Sequence, residues 1–254
     1  MVRTKIFALL LTVFAAQAHA AVEQQALVFM SGGELNYIGG ISAAANQKAY
    51  DLLEAEKPAP TVLLMRSPGG PTDDGMALGR WVHQHQLTVK VLDMCFSSCA
   101  NYVFTAAPKK IVSNFAVVGY HGGLSSSDFK FELDAEQEKM LASMPEDQRA
   151  PAREALIGQM RQQIQGYMAE EGAREARFFA DIGVQQKITT MGQAPAYKQR
   201  YGDEQQFIGW YYTLDGLRKL GVDHVTVING PWRPQFTAAG AGAGAAKVFE
   251  VGVD

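Results

Sequence analysis

Cysteine is nearly absent: the 254-residue chain carries two, Cys95 and Cys99. That excludes a fold held together by a disulfide framework and leaves at most one bridge. Basic residues never gather into a stripe. Their longest run is Lys109-Lys110, and the formal net charge is −3. A surface that neutralises phosphates needs such a stripe, so no nucleic-acid partner is expected. Histidine is scarce, with five in the chain, and no second Cys or His cluster accompanies Cys95 and Cys99. No metal is therefore expected. His83 and His85 flank Gln84 on a predicted helix, where alternate positions do not share a face. The Gly pairs lack the spacing of a P-loop or a dinucleotide fingerprint, and no cofactor is expected. Beyond the N-terminal twenty residues, no run is long and apolar enough to span a bilayer.

Those first twenty residues have their own logic. Arg3 and Lys5 make a basic start, Ile6 to Ala16 an apolar stretch, and Ala18-His19-Ala20 a small-x-small site. The apolar stretch is about half of the ~20 residues that a spanning helix needs. Residues 1–20 are expected to be a cleaved signal peptide, with no cysteine at the cleavage point to take a lipid. The mature protein is expected to be periplasmic or secreted, without a stable membrane span. In an oxidising compartment, a Cys95–Cys99 disulfide is expected; two buried thiols are the alternative.

What is present is a chain with 47% hydrophobic residues, enough to bury one large core. The first half alternates strand-like and helix-like segments. Residues 26–30, 61–65 and 88–93 read as strands, and 111–120 supplies one or two more. Residues 42–56, 73–84 and 97–107 read as helices. Alternation with short connections predicts an α/β fold with a mostly parallel sheet and flanking helices. The second half is helical over about 135–190, in pieces at 135–144, 148–171 and 173–191. Residues 192–209 read as a loop or insertion. A short helix at 214–220 and a strand at 224–228 close the domain, which is expected to span 21–230. The Gly/Ala-rich tail, 231–254, is expected to be flexible.

Three segments carry chemistry, each following a predicted strand. Ser67-Pro68-Gly69-Gly70 is a turn whose glycines can present backbone N–H groups outward. Cys95-Phe96-Ser97-Ser98-Cys99 opens a helix, where free N–H groups favour negative charge. Gly119-Tyr120-His121-Gly122-Gly123 brings a histidine that can take a proton from a nearby serine. Taken singly, each has an ordinary reading: a plain turn, an N-cap, a surface or core histidine. Their order, and their shared place at strand ends, point to one site.

In these residues the chain resembles the Clp protease proteolytic subunit within the crotonase-like superfamily. It is most similar to exported relatives with a C-x-S-x-C motif, and shares parts of its pattern with signal-peptide peptidases of the SppA type. The resemblance covers about residues 28–122 and returns at 213–226. It implies a Clp/crotonase-like fold with a helical insertion and a serine peptidase chemistry. Ser97 would be the nucleophile, with Ser98 as its rival, and His121 the base. Gly69, Gly70 and Ser98 would supply oxyanion N–H groups. The family's triad ends in an Asp; Asp203 is the first candidate here, with Glu204 and Asp181 as alternatives and a Ser–His dyad as another. The implied partner is a peptide or protein substrate. Homo-oligomer formation is left open, with the 135–190 region as a candidate contact. An exported chain has no ATP supply, so the family's unfoldase partner is not implied. Two other readings stand beside this one. One is a catalytically weak or inactive fold relative that binds peptides or protein partners. The other is a crotonase-like enzyme acting on an acyl thioester. Trp210-Tyr211-Tyr212 suits either a cleft wall or buried packing.

Overall fold

The computed structural model describes residues 26–126, 133–201, 207–235 and 247–253. Asp203 and Glu204, and the signal-like segment 1–20, lie outside them. Strand β1 (Leu27–Ser31) turns at Gly32 and Gly33 into β2 (Glu34–Ile38), and the two pair antiparallel. Both glycines hold positive φ, which a tight two-residue turn requires. Helix α1 (Ala43–Ala55) starts at Ser42, whose hydroxyl accepts the Ala45 N–H. It is followed by β3 (Val62–Ser67), α2 (Thr72–Gln84) and β4 (Thr88–Phe96). A short π-type helix, Cys99–Phe104, leads to β5 (Lys109–Ser113) and β6 (Val117–Gly119).

The helical region consists of α3 (Ala135–Ala142) and the 37-residue α4 (Glu146–Ile182), which Gly183 ends in a left-handed conformation. After α5 (Pro195–Tyr201) come β7 (Phe207–Tyr212), α6 (Leu214–Lys219), β8 (Val225–Ile228) and β9 (Lys247–Val251). Among the described residues, the main sheet has seven strands. Its order is β1-β2-β3-β4-β5-β8, with β6 also paired to β4. Every pairing except β1–β2 is parallel. The fold is mixed α/β, with a mostly parallel sheet and flanking helices.

Strand β4 organises the site. Its first half pairs with β5, Thr88 to Val91 against Lys109 to Val112, while its second half pairs with β6. At its C-terminal end, Cys95 is level with Ser67 of β3, and Phe96 is level with Gly119 of β6. The chain leaves all three strands at the same sheet edge, so the segments after Ser67, Phe96 and Gly119 converge. One side of the sheet is sealed by α2 and the Cys99–Phe104 helix. Leu63, Met65, Val89 and Val91 are fully buried there with Met76, Leu78, Val82, Val103 and Phe104. Each such aliphatic side chain contributes about 1.5–3 kcal/mol on burial.

Several elements differ from the sequence expectation. Strand β2 goes beyond the sequence expectation, which assigns no element to Glu34–Ile38. The helix expected to break near residue 172 runs through Gly172 to Ile182. Its last turns are held by packing: Phe178 and Phe179 are buried, and Phe178 meets Tyr102 edge-on at 5.4 Å. Tertiary contact of this kind outweighs the roughly 1 kcal/mol of helix propensity that a glycine loses. Segment 192–209 contains α5 and the start of β7. The stretch read as a flexible tail ends in β9, which pairs parallel with β7.

Candidate active site

Ser97 sits between β4 and the Cys99–Phe104 helix with φ +57, a left-handed conformation that a β-carbon disfavours by about 1–2 kcal/mol. The turn is pinned from both sides. The Ser97 N–H donates to the Gly119 carbonyl at 3.0 Å, and the Ser97 carbonyl accepts the Asn101 N–H at 2.8 Å. Cys95 and Cys99, both fully buried, are joined by a disulfide that closes a five-residue ring around Ser97. In this geometry the Ser97 Oγ lies 2.8 Å from Nε2 of His121.

His121 follows β6 and is steadied in three ways. Its ring stacks on Phe96, with planes 8° apart and centroids 5.3 Å apart. Tyr120, the preceding residue, exchanges two 2.8 Å backbone hydrogen bonds with Trp210 of β7. The Gly122 carbonyl, just after, accepts the Asn101 side-chain amide at 2.8 Å. The aromatic run Trp210-Tyr211-Tyr212 thus lies beside His121: Trp210 and Tyr212 are buried, and the indole N–H donates to the Tyr212 hydroxyl at 3.0 Å. Although His121 as a residue is exposed, surrounding protein desolvates its ring enough to lower its pKa. The base form needs the neutral ring. Labelling of Ser97 by an electrophile should therefore rise with pH through a midpoint below the usual imidazole value of about 6.5 and be flat by neutral pH. A rate-against-pH profile checks this; a midpoint above that value would contradict it.

The Pro-Gly-Gly turn packs directly on the serine. A β-carbon on Gly69 would lie 2.7 Å from the Ser97 β-carbon, and one on Gly70 would lie 2.1 Å from the Ile41 carbonyl oxygen. The Gly69 N–H donates to the Ser67 hydroxyl at 3.1 Å, and the Gly69 carbonyl accepts the Ile41 N–H at 2.8 Å. The N–H groups of Gly70 and Ser98 make no hydrogen bond with the described residues. Of the three candidate oxyanion donors, Gly69 is thus engaged in holding the turn, while Gly70 and Ser98 have N–H groups to offer. The rivalry between the two serines also has a geometric answer. Ser98 is 4% exposed, and its hydroxyl donates to the Gly70 carbonyl at 2.8 Å, away from His121.

No hydrogen bond joins a carboxylate to His121 among the described residues. Asp181 is exposed near the end of α4, and Asp203 lies outside those residues. The carboxylate that does reach this region is Glu175, which sequence reasoning passed over. It is fully buried and bonds to the loop that follows His121. Among the described residues, no group of three or more His, Cys, Asp and Glu is placed to hold a metal ion. None of their helices is long and apolar enough to cross a membrane.

The disulfide's share in this geometry is measurable. Changing both Cys95 and Cys99 to alanine should lower stability by about 2 kcal/mol, the value for closing so small a ring. A drop in Tm of the double variant, absent when a distant surface residue is changed, would register it.

No protein-family model matches the sequence, and no curated protein matches it. Solved structures overlap with it in part. An enoyl-CoA hydratase from Thermoplasma volcanium is 11% identical, with 36% of this chain and 49% of that chain covered and a TM-score of 0.28. A methylmalonyl CoA decarboxylase is 7% identical, with 36% and 47% covered and a TM-score of 0.28. A membrane-bound stomatin-specific protease is 14% identical, with 43% and 57% covered and a TM-score of 0.27. The matched stretch spans about half the length of these proteins.

Proposed function

We propose that the chain is an exported serine-type peptidase, in which Ser97 is the nucleophile and His121 the general base. The observation that carries the reading is the 2.8 Å contact between Ser97 Oγ and His121 Nε2, made by a serine held in a strained turn at a helix start. Backbone strain held in place by the surrounding structure recurs at working groups. In the proposed reaction, Ser97 Oγ attacks the peptide carbonyl carbon and its proton passes to His121 Nε2. The carbonyl oxygen, now an anion, accepts hydrogen bonds from the Gly70 and Ser98 N–H groups. His121 then gives its proton to the departing amine as the C–N bond breaks. Water, deprotonated by His121, attacks the acyl-enzyme; the carboxylic acid leaves and Ser97 regains its proton. Asp203 remains the candidate for the third member of the triad. The substrate is a peptide or protein, and the setting is the periplasm or the medium, after removal of residues 1–20.

A fluorophosphonate probe tests this on the mature protein. Covalent labelling that maps to Ser97, persists in Ser98→Ala and disappears in His121→Ala is the expected result. A folded wild-type protein that stays unlabelled would overturn the peptidase reading and leave peptide binding without turnover as the better account.

A further inference from the structure

Glu175 is fully buried in the later part of α4, and its partners among the described residues are neutral donors. Its two oxygens accept five hydrogen bonds. Oε1 takes the Tyr102 hydroxyl at 2.7 Å and the Leu124 N–H at 3.2 Å. Oε2 takes the Ser125 N–H at 3.2 Å, the Ser125 hydroxyl at 3.1 Å and the Gln186 side-chain amide at 2.9 Å. A carboxylate out of water is unfavourable by several kcal/mol unless such donors replace its hydration, and an apolar residue would suit a purely structural position better.

The donors belong to both halves of the site. Tyr102 lies on the Cys99–Phe104 helix that follows Ser97, while Leu124 and Ser125 lie on the loop that leaves His121. Asn101, next to Tyr102, holds the same loop through the Gly122 carbonyl at 2.8 Å. The loop lies flat on the carboxylate, because Gly123 has no β-carbon; one there would stand 2.6 Å from Oε1.

We infer that Glu175 is a positioning residue for His121: its buried carboxylate ties the 122–126 loop to the helix that follows Ser97, and so keeps the imidazole on the serine hydroxyl. This rests on the reading of Ser97 and His121 as nucleophile and base. An amide cannot replace the carboxylate. Each oxygen faces a backbone N–H that can only donate, Leu124 on Oε1 and Ser125 on Oε2, so the –NH2 group of a glutamine would face a donor whichever way it is turned.

Glu175→Gln keeps the shape and changes only the polarity. The rate of fluorophosphonate labelling should fall roughly 10- to 100-fold, as for a displaced supporting group. In ¹⁵N-histidine spectra, the His121 Nε2 signal should lose its hydrogen-bonded position, while the signals of His83, His85 and His224 stay in place. A change of stability alone would leave both the relative labelling rate below Tm and the His121 signal untouched. Wild-type rate with an unmoved His121 signal would overturn the inference. If Glu175→Gln does not fold, the double variant Tyr102→Phe/Ser125→Ala takes its place. It strips two donors from the carboxylate, and should slow labelling and broaden the His121 signal; no change in either would overturn the inference. If wild type is not labelled at all, the peptidase reading fails, and the His121 signal still decides whether Glu175 places the ring.

Discussion

Ser97→Ala should lower kcat/KM for a peptide substrate by about 10⁴-fold or more, and His121→Ala should fall to a similar residual rate. Combining the two should cost little beyond either alone. A nucleophile without its base and a base without its nucleophile fail at the same step, so their effects do not add. What survives is whatever the N–H groups of Gly70 and Ser98 contribute by binding a developing oxyanion. Ser98→Ala separates the two serines. It keeps the backbone N–H and removes only the 2.8 Å bond from the hydroxyl to the Gly70 carbonyl, an ordinary hydrogen bond of about 1 kcal/mol. A several-fold fall is expected there. A collapse in Ser98→Ala with near-normal turnover in Ser97→Ala would reverse the assignment.

Gly69→Ala should also slow turnover, by a different route and to a smaller extent. Gly69 holds φ +100, where a β-carbon is strained by about 1–3 kcal/mol. The added carbon would also lie 2.7 Å from the Ser97 β-carbon, 2.8 Å from the Phe96 carbonyl oxygen and 2.9 Å from the Ser98 nitrogen. Two of these neighbours are backbone and cannot turn aside. The Pro-Gly-Gly loop must therefore lift off the serine, and the Gly70 N–H moves with it. A shift of about 1 Å at a reacting centre can lower a rate roughly 10²-fold. The expected pattern is a large fall in kcat with a lower Tm, measured by steady-state kinetics and thermal unfolding. Unchanged kcat would mean that this loop plays no part in the chemistry.

The elements from β3 to β6 were legible because each carries its own local signal: apolar runs of strand length, glycine and proline turns, and helical spacing in Asp73 to Gln84. Their order placed Ser67, Ser97 and His121 after successive strands, and parallel pairing brings them to one edge. The contact between Ser97 and His121 follows from that topology. Which serine faces the histidine does not, since it depends on where Ser98 donates its proton. The free Gly70 N–H and the engaged Gly69 N–H were equally hidden, as both read simply as glycine. Strands β7 and β9 escaped because they pair with each other across a Gly/Ala-rich stretch, with no local pattern to announce it. Glu175 was invisible for a sharper reason. It stands in Glu170-Glu171-Gly-Ala-Arg174-Glu175, which reads as a solvated helix face. Only the packing of Phe178 and Phe179 turns that part of the helix inward.

The left-handed turn at Ser97 also bears on stability. Glycine adopts φ +57 without strain, and asparagine tolerates it better than most. Ser97→Gly should thus be inactive and yet about 1 kcal/mol more stable than the wild type, subject to the opposing entropy of glycine in the unfolded chain. For stability alone, glycine would be the better residue here. The serine at this position is thus held at a cost to the fold, and thermal unfolding of Ser97→Gly beside the wild type measures that cost.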